Sequence, residues 1–231
     1  MRWHDDKGDQ MTTTGSARMA PQRGRASDRV LSELRRMILT QELSPGAVVT
    51  EANLVEVLRC SRTPLREALQ RLSHEHLVVA VPGRGVSISD LSIPQFGVVL
   101  EAELSVECSL VRLAAGRIDD GCLAAAEGLL DRAQAGVDAG DVPEVVDCDY
   151  LFHTTWGAAA GNHLLLEFQS MLLRLLARYV YLGFKHPGNP QGALSDHRKI
   201  LAALQRHDAD AAEAAMRDHI ANGRERMRSA L

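Results

Sequence analysis

Between residues 30 and 72 the apolar positions recur at helical spacing in three short segments. Val30, Leu31, Leu34, Met37 and Ile38 form the first stripe, and Ser27 ahead of them has the chemistry of a helix start. Leu43-Ser44-Pro45-Gly46 then supplies turn residues that end the segment. Leu54, Val55 and Leu58 predict a second helix over about 51–59. In the third segment Ser61 is a natural cap, and Pro64 falls in the first turn, where N–H groups have no intrahelical acceptor to lose. Leu65, Ala68, Leu69 and Leu72 share one face of this helix, which leaves Arg62, Arg66 and Gln70 on another, exposed face with Thr63 beside them.

The period then changes. Leu77-Val78-Val79-Ala80-Val81 and Val86-Ser87-Ile88 bracket Pro82-Gly83-Arg84-Gly85, which predicts a β-hairpin with an arginine at its tip. From Ser92 onward strand signals vanish. Helical stripes run over about 94–117, 119–138, 143–160, 163–185, 193–205 and 208–229, with breaks at Gly121, Gly140 to Pro143, Gly161-Asn162 and Pro187 to Pro190. Long helices joined by short breaks predict an antiparallel bundle. The expected fold is therefore mainly α: a winged helix-turn-helix domain over 27–91, followed by an all-α antiparallel helical bundle over 92–231. Residues 1–26 are polar and aperiodic and are expected to form a disordered tail.

Composition narrows the picture. Aromatic residues are only 4%, which favours a core of aliphatic helices over aromatic-rich strands. Cys60, Cys108, Cys122 and Cys148 lack CxxC spacing, so neither a disulfide framework nor a zinc ribbon is indicated. No apolar run approaches the roughly 18 residues of a membrane span and the N-terminus is polar, so a cytoplasmic protein is expected. The net charge of -4 would by itself argue against a phosphate-rich partner. The average conceals a division: residues 1–95 carry 13 basic and 11 acidic groups, net +2, and residues 96–231 carry 13 and 19, net -6. Placement of the arginines, not total charge, then decides. An arginine-faced third helix closed by an arginine-tipped hairpin suits the major groove of double-stranded DNA, where Arg to guanine is the commonest specific contact.

A second constellation lies in the bundle. Asp149 and His153 stand at i, i+4, which puts a carboxylate and an imidazole one turn apart on one helix face. His197, beside Ile200, Leu201 and Leu204, and His219, beside Met216 and Ile220, also flank buried stripes. Converging inside the bundle, these four residues would offer three nitrogens and one oxygen to a divalent metal ion, zinc first, with manganese, nickel or iron also suited. Metal-dependent catalysis is the alternative use, but no separate general base or oxyanion donor accompanies the set, so an enzyme is not expected. Direct metal sensing is a further alternative.

Pro45-Gly46, the run Ser61-Arg62-Thr63-Pro64-Leu65-Arg66-Glu67-Ala68-Leu69 and the glycine-bracketed wing closely resemble the DNA-binding domain of GntR-family bacterial transcription regulators. The second half resembles that family's FCD effector domain, through Asp149 to His153, Gly161-Asn162, His197 and His219. The resemblance implies a homodimer on a palindromic operator, commonly a repressor, controlled by a small-molecule effector in the bundle. It implies DNA contacts from Arg36, Ser61, Arg62, Thr63, Arg66, Gly83 and Arg84, and effector contacts from Glu103, Asn162 and Arg178. Two departures stand out. Ala52-Asn53-Leu54 lacks a basic residue common in relatives, and Glu103 replaces an arginine that in many FCD regulators holds an effector carboxylate. A glutamate there repels such a ligand, unless the metal and Arg178 hold it; a neutral or cationic effector is the alternative.

Overall fold

The computed structural model describes residues 20–228. Helix α1, Ala20–Leu39, starts ahead of Ser27, which is buried inside the helix and does not cap it. Serine carries only a modest penalty in a helix interior, so its cap chemistry does not compel a start. The tail expected over 1–26 therefore gives residues 20–26 to α1, and its remainder lies outside the described residues.

Helix α2, Glu51–Leu58, is capped by Thr50, whose side chain accepts from the Asn53 N–H at 3.2 Å, and it ends where Arg59 turns left-handed at φ 47°. Helix α3, Arg62–His74, begins at Ser61 as expected and buries Leu65, Ala68, Leu69 and Leu72. Strands β1 (Val48–Val49), β2 (Val78–Val81) and β3 (Gly85–Ile88) form an antiparallel sheet in the order β1-β3-β2. The hairpin was legible in the sequence, whereas β1, two residues long, is too short to show a period. Gly85 makes the third strand possible: its φ is +112°, and a Cβ there would stand 2.2 Å from the Val49 carbonyl oxygen. Leu31, Leu34, Ile38, Leu54, Leu65, Leu72 and Ile88 are fully buried in this domain's core, each stabilising it by roughly 1.5–3 kcal/mol.

The bundle comprises α4 (Ile93–Ala115), α5 (Asp120–Ala139), α6 (Val142–Ala159), α7 (His163–Phe184), α8 (Asn189–Gln205) and α9 (Ala209–Arg228). The break expected at Gly121 falls earlier, because Asp119 caps α5 by accepting from the Cys122 N–H at 2.7 Å, which leaves Gly121 in the first turn. Helix α8 also starts ahead of its apolar stripe. Gly188, at φ +86°, turns the chain, and Pro190 is accommodated in the first turn. Helix α4 packs on α6, α7 and α9, and α5 pairs with α6 and α8, so α4, α6, α8 and α9 surround the bundle centre. The Tyr179 hydroxyl donates to the Ser92 carbonyl at 3.2 Å, pinning the connection between the domains. Among the described residues no helix is long and apolar enough to cross a membrane.

Candidate functional site

Three histidines from three helices meet at the bundle centre. The ring centroids of His153 (α6), His197 (α8) and His219 (α9) lie 5.0, 5.3 and 4.5 Å apart pairwise, and one ligand atom from each lies within 4.8 Å of the others. Asp149 joins them with Oδ1 3.5 Å from His197 Nε2. His153 faces inward because α6 buries Phe152 and Trp156 completely on the same side.

Two residues missing from the sequence reading hold this cluster. Glu107 on α4 lies with Oε2 3.2 Å from His153 Nδ1, and Gln169 on α7 donates through Nε2 to Glu107 Oε1 at 3.1 Å and to the His153 carbonyl at 3.0 Å. Glu107 stands at i+4 from Glu103, a spacing that could have flagged it. Gln169 carried no such signal, because its place depends on Gly157 across the bundle, where a Cβ would stand 2.1 Å from Gln169 Oε1.

Burial holds His197 and His219 well below the ordinary histidine range, helped by the nearby histidine charges, so both are neutral with a lone pair to offer. Burial also works against charging His153, but the charge and hydrogen bond of Glu107, followed by Asp149 and Glu103, outweigh it and push it up to about 9. The protonated His153 can then donate through Nε2 to His197 Nε2, 3.1 Å away. Burial raises Asp149 as well. The His219 Nδ1 is buried without a hydrogen-bond partner. Two neutral imidazoles, His197 and His219, the orphaned ring nitrogen of His219, a carboxylate at the edge and a second carboxylate orienting His153 together fit a divalent metal ion, which would displace the His153 Nε2 proton.

A cavity of about 50 Å³ adjoins the cluster, several times the roughly 10–15 Å³ that one water needs. Its polar wall is Glu103, Asp149, His153, His219 and Arg226, and apolar residues such as Phe96 and Leu173 line the rest. Glu103 therefore faces the cavity, and burial, with Glu107 and Asp149 adding to it against His153, pushes its carboxyl up to about 8. Arg178 does not line this cavity. Leu173, Leu176 and Val180 turn α7's cavity face, and Arg178 falls on another, where Nη2 donates to the Ser89 carbonyl at 2.7 Å. Asn162 is likewise elsewhere: its side chain caps α7, accepting from the Leu165 N–H at 3.2 Å. Arg226 brings a guanidinium to the cavity wall, seven positions after His219 on the same face of α9, and its Nη1 donates to Asp196 Oδ2 at 3.0 Å.

At the other end of the chain, Ser61, Arg62, Thr63 and Arg66 are exposed along the start of α3, and Gly83 and Arg84 are exposed at the wing tip. The Ser61 hydroxyl is not spent on capping. Arg66 Nε lies 3.0 Å from Glu51 Oε2 on α2. Arg36 lies in the last turn of α1. It donates to Glu33 at 2.8 Å and to Glu42 at 2.9 Å, and it lines the cleft between the domains, so two carboxylates already hold the charge expected to meet DNA.

A winged helix-turn-helix joined to a helical bundle, with a largely apolar cavity beside a histidine cluster, defines the class of two-domain transcriptional regulators. Residues 26–88 match the model of the bacterial regulatory proteins of the gntR family, and residues 98–222 match the FCD domain model. The chain belongs to the GntR family and carries an FCD domain. It is 28% identical to the HTH-type transcriptional repressor RspR of Escherichia coli K12, over 81% of this chain and 82% of that protein. It is 30% identical to the HTH-type transcriptional repressor GlaR of the same organism, over 68% of this chain and 75% of the relative. Among solved structures, E. coli McbR/YncC has the same fold, with a TM-score of 0.78 at 21% identity, covering 88% of this chain and 97% of that one.

Proposed function

We propose that this regulator is a cytoplasmic repressor that binds a palindromic operator as a homodimer, and that a small effector reaching a divalent metal ion at Asp149, His153, His197 and His219 controls that binding. The convergence of two buried histidines, a half-buried third and a carboxylate beside a cavity carries the reading. A bound metal would supply a Lewis-acidic contact for the effector. Glu107 orients His153 toward it, and Gln169 orients Glu107. On the DNA, Arg62 and Arg66 read base edges and phosphates, Ser61 and Thr63 hold phosphate, and Gly83 and Arg84 approach the minor groove. Glu103 on the cavity wall keeps its proton up to a pH of about 8, and once ionised it favours a neutral or cationic effector over a dicarboxylate.

Metal content of the purified protein, followed by selection of bound sequences from random duplex DNA with and without a chelator, tests this. One metal per protomer and a recovered palindrome are expected. Metal-free protein whose variants at the three histidines take up no zinc differently from wild type would sink the metal assignment. Calorimetric titration with a dicarboxylate and its neutral amide analogue tests the effector class. Tight dicarboxylate binding at a pH above about 8 that is unaffected by Glu103→Gln would overturn the repulsion.

A further inference from the structure

A second cavity, of about 310 Å³, opens between the domains. Helix α1 of the DNA-binding domain forms one side and α6 and α7 of the bundle the other, so an occupant would touch both. Ile38, Leu39 and Ala177 supply apolar wall. Four arginines line the cleft against one carboxylate, Asp147. Three of the four are partnered. Arg35 donates to Glu75 at 2.9 Å, Arg36 is held by Glu33 and Glu42, and Arg174 lies 3.9 Å from Glu75 with its guanidinium 5.0 Å from the Tyr150 ring centre.

Arg178 differs. It is 3% exposed, its one hydrogen bond among the described residues goes to the Ser89 carbonyl, and its Nε–H is buried without a partner. No carboxylate lies within ion-pair distance of it among the described residues; the charge of Asp90 acts on it from farther away, and burial outweighs that and lowers its pKa. A buried guanidinium with one carbonyl as its hydrogen-bond partner and no carboxylate in contact is costly unless an anion completes it.

We propose that this interdomain cleft binds a small organic anion, with its charged group paired to Arg178 and its apolar part against Ile38, Leu39 and Ala177. The site is separate from the histidine cluster and does not need the metal. It is placed to influence the DNA-binding domain: Tyr150 follows Asp149 on α6, and Glu75, which both Arg35 and Arg174 approach, is the C-cap of α3. An anion in the cleft would fix α3's end against the bundle.

The probe is 1-anilinonaphthalene-8-sulfonate, which joins one anionic group to an apolar ring system, titrated by fluorescence into the full chain. Saturable binding of one probe per protomer is expected, weakened at least about tenfold by Arg178→Gln and abolished by Ala177→Trp, which fills the cleft and keeps the arginine. Saturating zinc should leave binding within about twofold, because it occupies the other site. Should Arg178→Gln fail to fold, Ala177→Trp decides. Non-saturable binding, indifference to Ala177→Trp, or displacement by zinc would overturn the proposal. Displacement by random-sequence duplex DNA would assign the arginines to a phosphate backbone instead and overturn it equally.

Discussion

Glu107 Oε2 lies 3.2 Å from His153 Nδ1, with both side chains 1% exposed. This contact leaves Nε2 as the nitrogen of His153 that faces His197, and so decides which atom is available to a cation. Glu107→Gln keeps the shape and removes the charge that orients and polarises the ring. Metal affinity should fall about 10–100-fold, read by competition with a chromophoric chelator. An affinity unchanged within about twofold would mean that Glu107 does not support a metal ligand.

Glu103 should make the metal-free protein less stable as the pH rises. Its folded pKa is about 8 against an ordinary 4.5, so between these values the unfolded chain has released a proton that the folded chain keeps. The unfolded state then binds fewer protons, and stability falls with increasing pH across that window, by up to about 1.4 kcal/mol per pH unit. Glu103→Gln fixes the neutral form and removes this slope. Urea midpoints at several pH values between 5 and 8 check it, with the variant expected to gain on wild type toward the alkaline end.

Gly85 and Gly83 should respond very differently to alanine, although both have positive φ. At Gly83, φ +71°, nothing lies within 4 Å of a new Cβ, and the cost is the left-handed backbone alone, about 1 kcal/mol. At Gly85 the Cβ would overlap the Val49 carbonyl and displace β1 from the sheet. Gly85→Ala should cost at least about 2 kcal/mol in calorimetric unfolding of the N-terminal domain. Equal penalties would mean that β1 is not held against the wing.

Much of this was legible in periodicity, because helices that bury one stripe must repeat it. Leu65, Ala68, Leu69 and Leu72 predicted both the core of α3 and, by difference, its exposed arginines. Asp149 and His153 were legible for the same reason, since i, i+4 fixes a shared face before any tertiary contact forms. Residues whose roles depend on how one helix is rotated against another were harder to read. Arg178 was assigned to the effector cavity, yet Leu173, Leu176 and Val180 turn that face of α7 inward and send the arginine to the linker. Ser27 and Asn162 show a related limit. Both have side chains able to cap a helix, yet one is buried within α1 and the other caps α7.

Arg62 is exposed at the first position of α3. Arg62→Ala should therefore leave thermal stability within about 0.5 kcal/mol while weakening each half-site by about 1–3 kcal/mol, read by fluorescence anisotropy on the selected operator. Retained operator affinity would mean that another element enters the groove.

Arg66 poses a competition that Arg62 does not. Its Nε sits 3.0 Å from Glu51, in a pair that is 66% and 34% exposed, so the bridge itself contributes little to stability. It nevertheless matters for DNA, because a phosphate approaching Arg66 must also approach the Glu51 carboxylate. Glu51→Gln frees the guanidinium and removes the repulsion, and should strengthen binding to random-sequence duplex more than it changes operator preference. With one further phosphate contact per protomer, the slope of log affinity against log salt should steepen by about 0.9 per protomer. Glu51→Gln combined with Arg66→Ala should lose that added steepness, which separates release of Arg66 from a general gain in positive charge. An unchanged slope in the single variant would mean that Arg66 reads a base edge or makes no contact at all.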